Sequence, residues 1–390
     1  MSTETNRSNA AIPGIVVLIV MLVGLPLVGV VLSGGSVAPY LKFPPLTIIT
    51  SHAAFSLPAF VALGAIGILV GTAIGLPLIR AARRTEVIAP EARFPWFGWV
   101  GLAGGIAAWV VAWTRFEWLS SIQLHTFTPL WAAYIFVING MTFRRTGRCL
   151  MTARTRYFLL LFPLSAGFWW FFEYLNRFVA NWYYVGGVSE MSAAQYVLFA
   201  TIPFSTVLPA VLSTQEWLQS FPSFDRAFGR GPGGRVGASR LTGVSLLMLS
   251  GAGLMCIGIW PDYLFPLVWV SPMLVVLGVQ SVFGSRTLID QVGGGRWTGL
   301  ITASVAALIC GFFWELWNTY SLARWIYSIP FVHGAKVFEM PVLGYMGYLP
   351  FGIQCLLIGE MAGKTLARYD VRVAKTTGSD ALAGGNWKHV

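Results

Sequence analysis

Charge is scarce in this chain. Asp, Glu, Lys and Arg make up 11% of its 390 residues, against about a quarter in an ordinary soluble domain, too few to coat a water-soluble globule of this length. Cysteine is limited to four residues. Cys256, Cys310 and Cys355 fall in apolar segments and Cys149 in an Arg-rich loop, so no disulfide framework is expected and no C-x-x-C offers a metal or redox pair. Histidine is equally sparse. His52, His125 and His333 sit in separate connections, with no H-x-x-x-H or H-E-x-x-H and none inside an apolar run, which argues against metal or haem ligation. Also missing are G-x-S-x-G and G-x-x-x-x-G-K-[ST], so neither a hydrolase elbow nor a phosphate loop is supported. The stretch G-R-G-P-G-G-R-V-G at 229–237 reads as a flexible linker. No cofactor is expected.

What fills the chain is apolar: 56% of residues are hydrophobic. Ten runs approach the roughly 20 residues that span a bilayer, at 11–32, 54–79, 96–113, 127–143, 157–180, 195–213, 241–259, 264–283, 298–322 and 342–363. The fold class is therefore all-α, a polytopic integral membrane protein. The first run is longer than a signal-peptide core and is followed by a poor cleavage site, Ser33-Gly34-Gly35, so it is expected to remain as a helix.

The net charge of +11 would suggest nucleic acid in a soluble chain, but its placement decides otherwise. Counting the runs from a cytoplasmic N-terminus, 21 of the 26 Lys and Arg fall on the cytoplasmic side, leaving Lys42, Arg115, Arg177, Arg324 and Lys336 opposite. This bias predicts both termini in the cytoplasm, an inner (plasma) membrane location and no nucleic-acid partner.

One stretch occurs twice. F-F-E-Y-L-N-R-F-V-A-N-W-Y-Y at 171–184 matches F-W-E-L-W-N-T-Y-S-L-A-R-W-I-Y at 313–327. The match pairs Glu173 with Glu315, Asn176 with Asn318, Trp182 with Trp325 and Tyr184 with Tyr327. It continues through Glu190-Met191 and Glu339-Met340, then Pro203-Phe204 and Pro350-Phe351. Upstream it is fainter, Trp113 and Glu117 resembling Trp260 and Asp262, and Pro129 aligning with Pro272.

The organisation expected is two N-terminal helices (1–95), a four-helix repeat (96–220), a Gly/Pro/Arg-rich linker (221–240), a second repeat (241–363) and a tail (364–390). Four helices per unit is an even number, so the copies should be parallel about an axis along the membrane normal.

Glu173 lies 17 residues beyond Arg156, about 25 Å along a helix, which sets it near the outer edge of the hydrocarbon. Asn follows each Glu at i+3 and shares its face. A carboxylate at that depth should face the bundle interior or a wet cavity. Arg177, Arg324 and Glu339 fall within or beside the repeated motifs. The candidate ligand-binding set is Glu173, Asn176, Arg177, Trp182, Tyr184, Glu315, Asn318, Arg324, Trp325, Tyr327 and Glu339.

Each feature also has a structural reading. The aromatics fit an interfacial belt, and each Glu could be clasped by Arg177 or Arg324 or capped by its Asn. Four functions fit the pattern. The first is an outward-facing aromatic and carboxylate-lined pocket for an amphiphile, a lipid or isoprenoid, with the basic residues meeting an anionic head group. The others are an enzyme using the paired carboxylates on a lipid-borne substrate, a secondary transporter with Asn139 and Gln280 as its deeper polar groups, and a subunit meeting a membrane-protein partner.

Overall fold

The computed structural model describes residues 13–45, 49–84, 92–187, 191–234, 237–283 and 287–377, the last six by backbone alone. Glu190, Arg235, Arg286 and the end of the tail lie outside the described residues.

The chain is an all-α polytopic membrane protein. Among the described residues, eight helices are long and apolar enough to cross a membrane. Those in the first 220 residues are Pro13–Leu32 (α1), Leu57–Ala82 (α2), Trp96–Trp113 (α3) and Thr155–Val179 (α5), with Ala193–Gln219 running as two pieces, Ala193–Phe204 (α6) and Val207–Gln219 (α7). After them come Arg240–Ile257 (α8), Thr298–Asn318 (α10) and a last span through Val342–Val371, whose helix is Tyr348–Thr377 (α11). Phe127–Thr146 (α4) makes a ninth span if it is counted with Glu117–Gln123, to which it is bent by 72°.

The remaining apolar run forms Leu267–Val282 (α9), a helix of 16 residues. That is about 24 Å long at 1.5 Å per residue, short of a roughly 30 Å core. Helix α11 also continues past the boundary expected at 363, because Ala362, Lys364, Leu366, Ala367 and Arg368 are good helix formers even where apolar periodicity fades.

Among the described residues, four short strands interrupt the helices. Trp182–Val185 (β1) follows α5 and Arg324–Tyr327 (β2) follows α10, and the two pair antiparallel. Lys336–Val337 (β3) and Met340–Pro341 (β4) form a small hairpin before α11.

At the centre, α5, α7, α10 and α11 pack in a ring. The pair α3 and α4 lies against α7, and the pair α8 and α9 against α11. Helix α1 packs on α8, whereas α2 rests on the helical segment Pro222–Phe228 and the turn Val342–Gly347. The ring is filled by fully buried Leu161, Phe172, Leu208, Val211, Ala307, Cys310, Phe351 and Cys355.

Small residues let its helices approach closely, as expected where no hydrophobic effect drives helices together inside lipid. A Cβ on Gly352 of α11 would overlap the Ala303 carbonyl of α10. The break between α6 and α7 is also accommodated from the ring. Buried Ser165 of α5 donates its hydroxyl to the Phe204 carbonyl (2.6 Å) and accepts from the Leu208 N–H (3.0 Å). It thus bridges the two backbone groups that an unbroken helix would join to each other.

Candidate functional site

Asn176 and Asn318 are spent on the backbone that follows them. Asn176 donates to the Trp182 carbonyl (2.7 Å) and accepts from the Asn181 N–H (2.8 Å). Asn318 donates to the Trp325 carbonyl (2.8 Å) and accepts from its N–H (2.9 Å). Each amide therefore turns the chain out of its helix and into a strand. Pairing then sets Trp182 opposite Tyr327, Tyr183 opposite Ile326, and Tyr184 opposite Trp325. Residue for residue, this register is unchanged when the matched positions of the two stretches are exchanged.

The strands turn their side chains back onto the carboxylates. Oε1 of Glu173 accepts from Tyr184 Oη (2.6 Å), Trp182 Nε1 (3.0 Å) and Trp169 Nε1 (3.1 Å). Oε1 of Glu315 accepts from Tyr327 Oη and Tyr348 Oη, both at 2.7 Å, and Trp325 Nε1 reaches it through the Tyr327 hydroxyl (2.9 Å). Burial, with the neighbouring glutamate adding to it, pushes the Tyr184 and Tyr327 phenols well above their usual range, so both act as neutral donors. Both glutamates are buried, Glu315 completely, and its Oε2 has no partner among the described residues.

Among the described residues, neither carboxylate is in an ion pair or bonded to the other; the donors to each come from its own helix group. Arg177 instead donates to the Pro39 and Lys42 carbonyls, and Arg324 to the Thr319 carbonyl. The clasp read from the sequence, with arginine or asparagine holding the acid, is thus replaced by phenol and indole donors.

In front of these residues opens a cavity of about 680 Å³. Its walls come from both helix groups: Phe127, Trp169, Trp182, Tyr184 and Phe204 from the first, and Trp269, Trp314, Trp325, Tyr327 and Tyr348 from the second. Of the sequence candidates, Trp182, Tyr184, Arg324, Trp325 and Tyr327 line it. Glu173, Asn176, Glu315 and Asn318 stand behind that aromatic wall. Arg177 lies apart, and half-buried Glu339 sits in the β3–β4 turn next to the lining residue Met340.

Sequence reasoning missed Trp269, Trp314 and Tyr348. Tyr348 bonds a glutamate 33 residues away, and the available signal was its position two residues before the matched Pro350-Phe351. The deeper polar candidates do not reach this cavity. Asn139 bonds Ser213 and the Met151 N–H, and Gln280 leaves its Oε1 without a partner among the described residues.

Two wall residues on α6, Leu198 and Ile202, are 66% and 48% exposed. The cavity therefore opens sideways, between apolar side chains, as well as toward half-buried Arg324 and exposed His125. Among the described residues, no group of three or more His, Cys, Asp or Glu could hold a metal ion. Compared with protein families, with curated proteins and with solved structures, the chain matches none of them.

Proposed function

We propose that the chain binds an amphiphile, a lipid or isoprenoid, in the aromatic cavity of a protein built from two parallel repeats. The observation that carries this reading is the sideways opening. An aqueous ligand would have no use for a mouth framed by exposed Leu198 and Ile202, whereas an apolar tail can slide from the bilayer onto the indole and phenol faces inside.

The volume lies in the usual range for small-molecule sites, about 300–1,000 Å³. Arg324 donates from one guanidinium nitrogen to the Thr319 carbonyl and has further N–H groups to meet an anionic head group. The strand register and the paired roles of Asn176 and Asn318 support the repeat, and the distribution of Lys and Arg supports an inner (plasma) membrane location with cytoplasmic termini.

The test is to extract and identify lipids that remain on the detergent-purified protein. One lipid class enriched about tenfold over the membrane, and reduced to bulk composition by Ile202→Trp at the exposed mouth, is the expected result. Bulk composition in both proteins would remove the reading.

A second reading, acid–base chemistry on the bound amphiphile, is favoured by Glu315 alone. One of its oxygens has no partner among the described residues, and the other takes hydrogen bonds from Tyr327 and Tyr348, which face the cavity. Under it, Tyr348→Phe would abolish conversion of the co-purified amphiphile while leaving its binding within about twofold. Conversion that survives both Tyr348→Phe and Glu315→Gln would eliminate this reading.

A further inference from the structure

A second cavity, of about 1,530 Å³, opens at the arginine-rich end of the same helix ring. Both cavities border α5, the α6–α7 segment, α10 and α11. On the α6–α7 segment the first ends at Val207 and the second begins at Leu212, about 7.5 Å further along. On α11 the first ends at Pro350 and the second begins at Leu356, about 9 Å further. On α5 and α10 the separation is longer, about 18 Å from Tyr157 to Trp169 and about 22 Å from Gly299 to Trp314, and fully buried Leu208, Val211, Phe351 and Cys355 occupy its narrow part. Beside this plug lies the helix break spanned by the Ser165 hydroxyl, where the chain can bend without losing a continuous ladder of hydrogen bonds.

From this arrangement we infer that the chain carries an anionic-headed lipid across the membrane, the two cavities being the opposite vestibules of one path. The inference rests on the amphiphile-binding reading of the aromatic cavity.

The second cavity supplies the charge the head group needs. Its four acids are already engaged: Glu216 by the Leu150 N–H, Glu360 by Lys364, Asp370 by Arg156, and Asp290 by the Thr287 and Ala238 N–H groups. Arg148 and Arg296 line the same cavity and are exposed, without a side-chain hydrogen bond or ion pair among the described residues, and Arg148 acts on the charge of Glu216 through space. Two guanidiniums facing one aqueous basin suit a phosphate-bearing head group, as Arg324 does at the other vestibule. A lipid moving between the cavities would keep an arginine within reach of its head group at both ends.

Two measurements test this on the full chain. In the first, Cys149, Cys256 and Cys310 are replaced by serine, and the remaining Cys355 in the plug is treated in proteoliposomes with a membrane-impermeant maleimide. Labelling from the arginine-rich side, accelerated at least fivefold when phosphatidylglycerol is added to phosphatidylcholine vesicles, is expected. In the second, dithionite quenching follows leaflet exchange of fluorescent phosphatidylglycerol. Exchange at least tenfold above protein-free vesicles, reduced at least fivefold by R148Q/R296Q, is expected.

A Cys355 that stays unlabelled from both sides, exchange no faster than in empty vesicles, or exchange indifferent to R148Q/R296Q each overturns the inference. If the purified protein still retains its enriched lipid in those cases, the binding reading stands and only transport falls. If no lipid is retained, both fall.

Discussion

Glu173→Leu is expected to cost more stability than any other single change in the motif. One carboxylate oxygen serves three donors, Tyr184 Oη, Trp182 Nε1 and Trp169 Nε1, at 2.6–3.1 Å. Leucine nearly matches the volume and removes every acceptor. At the roughly 0.6 kcal/mol typical of polar contacts between membrane helices, three lost bonds come to about 2 kcal/mol. At about 2 kcal/mol for each donor left buried without an acceptor, they come to about 6 kcal/mol. The upper part of that range is the better expectation, because two of these bonds, from Trp182 and Tyr184, tie strand β1 to α5.

Glu173→Gln keeps a carbonyl oxygen in the same place and should lose less than half as much. Thermal unfolding in mild detergent distinguishes the two. If Leu and Gln variants melt together, the carboxylate is not what holds the strand, and its role must be sought in the charge it carries. The same pair of substitutions at Glu315, which serves two phenol donors, should give the same order with a smaller gap.

The second large effect is expected from adding one methyl group. Gly352→Ala puts a Cβ into the Ala303 carbonyl and within 2.9 Å of the Ala307 Cβ. The obstacle is backbone rather than the end of a flexible side chain, so α10 and α11 have to move apart. Overpacking of this kind costs about 1–3 kcal/mol, occasionally more, and here the displaced seam also carries Phe351 and Cys355 between the two cavities. A loss of about 3 kcal/mol, or failure to accumulate in the membrane, is expected.

Gly71→Ala in α2 is the control, since nothing lies within 4 Å of a Cβ there. It should be neutral or stabilising by up to about 1 kcal/mol. Equal melting of the two variants would mean that the close approach of α10 and α11 relaxes without cost.

How far the sequence could be read follows from the kind of information each feature needs. Ten apolar runs were legible as helices because the length of a span is a local property, set by rise per residue and bilayer thickness. The sharing of one face by Glu173 and Asn176, or by Glu315 and Asn318, was equally local. The 16-residue length of α9 was less visible, since Leu264 and Phe265 are as apolar as the helix they precede and only the backbone geometry excludes them.

Partners were not legible. Nothing in the spacing of Glu315 and Tyr348 brings them together; the return of α11 against α10 does. Nor could composition tell that the asparagines would bind backbone, leaving the carboxylates to phenols and indoles, because that choice depends on how tightly the chain turns after each helix.

By itself the sequence determined the membrane character, the helices and the concentration of aromatic and polar groups at one end of the repeated stretches. Hydrophobicity and helical period act over tens of residues and suffice for that. The tertiary structure alone decided that β1 and β2 pair, that the acids stand behind the aromatic wall, and that two cavities flank one packed layer. Those outcomes depend on contacts between residues far apart in the chain, where small side chains such as Ala303, Ala307 and Gly352 set how closely the helices meet.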